Sequence, residues 1–132
     1  MDARAIPDEL RLTFEGQPEA ASQARTAVTT FASAHLLPAR EADLAVAVSE
    51  VVTNAIVHGD PGGIIEVRAS RAGDALRIEV TDGGAGLAPT PRSTTSAPGG
   101  GFGLFLVEQL SRRWGLVRHS ATTRVWFEFE AG

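Results

Sequence analysis

The chain has 132 residues, 43% hydrophobic and 21% charged, with a formal net charge of −4 and no cysteine. That length accommodates one domain with one core, the acidic balance argues against nucleic acid as a direct partner, and the lack of cysteine excludes disulfides and thiolate metal sites. No apolar run approaches the roughly 18–20 residues that span a bilayer, and the first residues lack the basic and apolar segments of a signal peptide, so a cytoplasmic protein without membrane contact is expected.

Residues 9–15 alternate Leu10, Leu12 and Phe14 with polar side chains and predict a strand. Pro18 opens a helical pattern that runs to about Leu36, with Ala24, Val28, Phe31 and Ala32 at helical spacing. Pro38 breaks it. A second helix is predicted from about Arg40 to His58, burying Leu44, Val48, Val51, Val52 and Ala55, with Gly59 as its C-terminal glycine. Two strands follow, Ile64 to Ser70 and Leu76 to Thr81, joined by the turn Arg71-Ala72-Gly73-Asp74.

Residues 83–100 are dense in glycine, proline and serine or threonine and predict a long mobile loop. A third helix is expected from Gly101 to about Arg113, then strands from Gly115 to His119 and from Thr123 to Glu130. The order places this chain in the α+β class, with a mixed, mostly antiparallel sheet and three helices on one face, a single domain over residues 1–132.

Three clusters carry chemistry. Glu50, Asn54 and His58 are spaced four apart, so they stack along one helix face. A carboxylate there can take a proton from a hydroxyl, and an amide oxygen is a hard ligand suited to Mg²⁺. The same stripe also fits an ordinary solvated helix face, and His58 fits a helix end favoured by the dipole. Asp82 ends a strand before Gly83-Gly84-Ala85-Gly86. Its carboxylate only accepts hydrogen bonds and suits the exocyclic amine of adenine; a plain tight turn gives the same pattern. Gly99 to Gly103 open a helix, where converging backbone N–H groups can hold phosphate; a flexible linker is the other reading. All twelve basic residues are arginine. Without a lysine, a Walker-type phosphate loop is excluded, and the glycine run lacks the preceding strand that a Rossmann fingerprint needs.

Taken in order, these clusters resemble the boxes of the Bergerat-type (GHKL) ATPase superfamily, and most nearly its bacterial anti-sigma factor serine/threonine-protein kinases. Ser49-Glu50-Val51-Val52-Thr53-Asn54-Ala55-Ile56-Val57-His58-Gly59 resembles the N-box, Asp82-Gly83-Gly84-Ala85-Gly86 the G1 box, and Gly101-Phe102-Gly103-Leu104 the G2 box; Thr122 to Phe127 resembles the closing strand. The resemblance covers roughly residues 8–130 and implies a two-layer sandwich that binds ATP with Mg²⁺. By that resemblance Glu50 is the base, Asn54 the Mg²⁺ ligand and Asp82 the adenine anchor. Gly84 and Gly86 floor the base pocket, and Gly101, Gly103 and Leu104 hold phosphate. His58, Leu87, Gly99, Gly100, Phe102 and Thr123 are further residues expected to border the nucleotide, and residues 87–100 form a mobile lid over it. The implied partners are a sigma factor and a STAS-type anti-sigma factor antagonist that the kinase phosphorylates, with a homodimer as the expected assembly. A non-catalytic ATP-binding module that sequesters a regulatory protein is the alternative.

Overall fold

The computed structural model describes residues 9–35, 38–59, 63–83, 104–119 and 122–132. Its elements are β1 (Glu9–Glu15), α1 (Glu19–Ala32), a 3-10 turn (Pro38–Arg40), α2 (Glu41–His58), β2 (Ile64–Ala72), β3 (Ala75–Asp82), α3 (Leu104–Leu110), β4 (Arg113–His119) and β5 (Thr122–Glu130). The five strands form one sheet in the order β1-β2-β3-β5-β4, and every neighbouring pair is antiparallel. The α+β class holds, and the mixed sheet that the pattern left open is antiparallel throughout the described strands.

Register shows why the sheet has one covered face. Side chains alternate across a strand, and the pairing aligns the apolar ones into rows across all five strands. Leu12, Val67, Val80, Val125 and Leu116 form one row; Leu10, Ala69, Ile78, Phe127 and Trp114 form the next. The helices cover these rows with Ala24 and Val28 of α1, with Leu44, Val48, Val51 and Val52 of α2, and with Leu104 and Val107 of α3, all in one core cluster. At about 25 cal/mol per Å² of apolar surface removed from water, this burial is the main favourable contribution to folding. The third row changes character: Phe14, Ile65, Asp82, Thr123 and Arg118. Three neighbouring strands there abandon the apolar code at one end of the sheet.

Several boundaries differ from the pattern for local reasons. The first helix ends at Ala32 rather than near Leu36. Ser33 N–H donates to the Thr29 carbonyl at 3.0 Å and its Oγ to the Thr30 carbonyl at 2.7 Å, closing the last turn. The β2–β3 turn is only Gly73-Asp74, because pairing continues to Ala72 opposite Ala75; Gly73 takes φ 61°, which a two-residue hairpin turn requires and glycine adopts without strain. The third helix stops at Leu110, and β4 starts at Arg113, two residues earlier than the pattern places it. Ser111 turns the chain there by returning both its N–H and its Oγ to the Val107 carbonyl, at 2.9 and 2.6 Å. The proposed lid, residues 87–100, lies outside the described residues. Among the described residues, no helix is long and apolar enough to cross a membrane.

Candidate functional site

Where the third row turns polar, the sheet and helices part to leave a small pocket of about 30 Å³, partly open to solvent. Its apolar wall is Val51 and Ala55 of α2, Val80 of β3, Leu104 of α3, Leu116 of β4 and Val125 of β5. Its polar groups are Asn54, His58, Asp82 and Thr123. An apolar slot with a few placed polar atoms suits a ring that is packed on its face and read at its edge.

Each polar group owes its place to its element. Asn54 and His58 lie one helical turn apart on α2, so both reach the same pocket. Asp82 closes β3 at the position paired with Thr123 of β5. The end of α2 and the end of β3 meet tightly there. A Cβ placed on Gly59 would stand 2.5 Å from Asp82 Oδ2 and 2.6 Å from Oδ1. Gly59 caps α2 as the sequence leads one to expect, but not through a left-handed backbone: its φ is −87° and its N–H still bonds the Ala55 carbonyl at 3.0 Å. Glycine stands here because the Asp82 carboxylate occupies the space of a side chain.

Asn54 bears on what the pocket takes. Its Nδ2 is buried without a hydrogen-bond partner. A buried unpaired amide costs on the order of 1–3 kcal/mol, so folded proteins rarely keep one without a use. Turning the amide over exchanges Nδ2 for Oδ1, so the same position offers a hard oxygen to a cation. No group of three or more His, Cys, Asp or Glu among the described residues could hold a metal ion by itself. The donor set therefore fits Mg²⁺ only in its usual manner, with one protein oxygen and the remaining ligands from water and phosphate.

The structure thus brings together five of the residues singled out in the sequence: Asn54, His58, Asp82, Leu104 and Thr123. Glu50 is half-buried on α2, one turn before Asn54, and is not part of the pocket wall. Its neighbour Ser49 accepts a hydrogen bond from Arg25 Nη1 of α1 at 3.1 Å. Gly84, Gly86, Leu87, Gly99, Gly100, Gly101, Phe102 and Gly103 lie outside the described residues. Sequence reasoning missed the apolar wall. Val51, Ala55, Val80, Leu116 and Val125 follow the same alternation as the core, and nothing in the pattern separates a pocket wall from packed interior.

Comparison with known proteins accords with this geometry. A family model described as the histidine kinase-like ATPase domain matches residues 14–129. The anti-sigma F factor of Thermoanaerobacter sp. (strain X514) is 44% identical over 82 residues, which span 59% of this chain and 57% of that protein. The anti-sigma F factor of Clostridium acetobutylicum is 41% identical over 86 residues, 62% of this chain and 59% of that protein. The match therefore spans less than two thirds of these relatives' length. The crystal structure of the RsbU and RsbW domains of Rv1364c from Mycobacterium tuberculosis superposes with a TM-score of 0.73 at 24% identity, covering 95% of this chain and 33% of that one. At that identity it shows a shared fold.

Proposed function

This chain belongs to the histidine kinase-like ATPase domain family, and from that premise we propose that it is an ATP-binding anti-sigma factor that phosphorylates a serine or threonine of its antagonist. The observation that supports the reading most is the convergence of Asp82, Thr123, His58 and Asn54, whose Nδ2 lacks a partner, on one apolar slot. Asp82 accepts from the exocyclic amine of adenine, and Val80, Val125 and Leu116 pack against the ring. By the family resemblance Gly84, Gly86 and Leu87 would contribute to the base site, and Gly99 to Gly103 with Leu104 would hold the phosphates. Asn54 is the residue that would hold Mg²⁺, which neutralises phosphate charge when bound with ATP.

Glu50 lies one turn from Asn54, outside the base slot, where a phosphoryl acceptor would approach. The acceptor hydroxyl gives its proton to the Glu50 carboxylate as its oxygen bonds the γ-phosphorus. The bond from that phosphorus to the β,γ-bridging oxygen breaks, and ADP leaves. Such transfers depend chiefly on positioning and charge stabilisation. Partner switching follows: the protein holds a sigma factor, releases it to bind unmodified antagonist, and phosphorylates that antagonist to reset the exchange. The relatives' printed name supports the sigma-factor half of the reading, and the family's ATPase description supports the ATP half. In this reading the protein works in the cytoplasm.

Calorimetry of ATP with Mg²⁺ on the wild type, Asp82→Asn and Glu50→Ala tests the site. Binding that is lost in Asp82→Asn and kept in Glu50→Ala is expected, with transfer to a STAS-type antagonist lost in both. Transfer that survives in Glu50→Ala would leave the base elsewhere; a wild type that fails to bind ATP would overturn the reading.

A further inference from the structure

Arg40 stands apart from the pocket, yet it joins three elements. Its Nη1 donates to Asp43 Oδ2 at 2.5 Å, and its Nη2 donates to the Leu110 carbonyl at 2.7 Å. Its guanidinium carbon lies 4.9 Å from the centroid of the Phe129 ring. Those partners belong to the first turn of α2, the last residue of α3 and the core face of β5.

The described part of α3, Leu104–Leu110, is seven residues long, and a segment of that length does not hold a helix by itself in water, where roughly 12–15 residues are already marginal. Its position therefore depends on what holds it. Its first residue, Leu104, is part of the pocket wall. At its other end the last carbonyls lack intrahelical partners. Ser111 takes the Val107 carbonyl, and Arg40 takes that of Leu110. A guanidinium suits this place because its planar fork donates in two directions and lies flat on an aromatic ring, which an ammonium cannot do together.

We propose that Arg40 is a positioning residue for nucleotide binding: by tying the end of α3 to the start of α2, it fixes Leu104 in the pocket wall. The inference rests on the nucleotide reading of that pocket and adds a determinant on the far side of α3 from it. Two elements that both line the pocket, α2 and α3, are held in register by a side chain that no bound nucleotide would touch.

The test uses the whole chain, with Arg40→Met, Arg40→Lys and Asp43→Ala. ATP affinity in Mg²⁺ is measured beside amide hydrogen exchange resolved by peptide. Arg40→Met should weaken ATP by about tenfold, a coupling typical of a residue that acts through packed neighbours. It should speed exchange at residues 104–110 while β2 and β3 keep wild-type rates. Arg40→Lys should fall between, and Asp43→Ala should repeat the pattern more weakly. Affinity of Arg40→Met within about twofold of wild type, a change too small to express such coupling, would overturn the proposal. Exchange that rises equally across the sheet would overturn it too, because Arg40 would then serve general stability. A wild type that does not bind ATP would instead overturn the pocket reading, and this proposal with it.

Discussion

On the side of the sheet turned away from the helices, the Glu128 side chain is buried and fully engaged. Arg113 donates to its Oε1 at 3.0 and 2.6 Å and Arg77 to its Oε2 at 3.1 Å. Arg77 also bonds Glu79 at 2.8 Å and lies 4.2 Å from the centroid of the Trp126 ring. Farther along, Arg68 pairs with Glu9 at 2.7 Å. On the helix-covered side, Asn54 Nδ2 is as well buried and has no partner. The outer face carries far more charge, and its buried carboxylate is satisfied within the sheet. The inner face carries little, and among the described residues leaves Asn54 Nδ2 unmatched beside a pocket. Charge density thus marks the outer face, and the unmet hydrogen bond marks the face that carries the pocket.

The contrast can be broken at Glu128. Burial alone would raise its pKa, but hydrogen bonds from Arg113 and Arg77, with their charges, outweigh it and hold the carboxyl below its ordinary value. A depressed folded-state pKa adds stability that is fully present above the unfolded value, near 4.3, and is lost as pH falls through the folded one. Glu128→Ala should lower unfolding free energy by about 2–3 kcal/mol, because it removes the charge-assisted hydrogen bonds from Arg113 and Arg77 while Arg77 keeps Glu79, and leave ATP affinity unchanged. Denaturant melts at pH 7 check the first, calorimetry the second; Glu128→Gln should flatten the loss of stability below pH 5 relative to wild type.

Gly59→Ala sharpens the inner side of the comparison. Its Cβ would collide with the Asp82 carboxylate and the Ala55 carbonyl, and overpacking of this kind costs about 2 kcal/mol. Thermal melts should show that loss, and ATP titration a weakening beyond it, since Asp82 must move.

Asn54→Leu should act in the opposite direction. Removing an unpaired buried amide should raise stability by about 1 kcal/mol, while Mg²⁺-dependent ATP binding is lost. A loss of stability would show that the amide is satisfied after all. At the bottom of the scale stands Glu9. A hydrogen bond from Arg68, and then the charge of Arg68, lowers its pKa, yet the pair is exposed to solvent, and such pairs contribute little. Glu9→Gln should leave the melting midpoint where it is.

Legibility in the sequence follows the same division. β1 was readable to the residue because Leu10, Leu12 and Phe14 alternate without interruption, and α2 to within one residue because Pro38 and Gly59 bracket it. The end of α1 was not, since apolar spacing continues through residues 35–37 while the Ser33 hydroxyl ends the helix. In the site, Asn54, His58 and Asp82 were legible because polar side chains at fixed offsets interrupt an apolar pattern. The valines beside them were not, because a pocket wall and a core obey one rule of burial. Nor was the Glu128 network, which needs the registers of β3, β4 and β5 before its charges can be paired.

The strand order has a consequence for how the pocket comes to exist. β2 with β3, and β4 with β5, are hairpins whose partners are neighbours along the chain. The pocket is assembled across the seam between them, from Val80 and Asp82 on one side and Thr123, Val125 and Leu116 on the other. A chain with both hairpins formed but not docked has the residues and no pocket. Closing that seam brings together positions as far apart as Asp82 and Thr123, a slow non-local step. A ligand of this pocket therefore binds only the closed seam, and by mass action stabilises the chain with its hairpins docked.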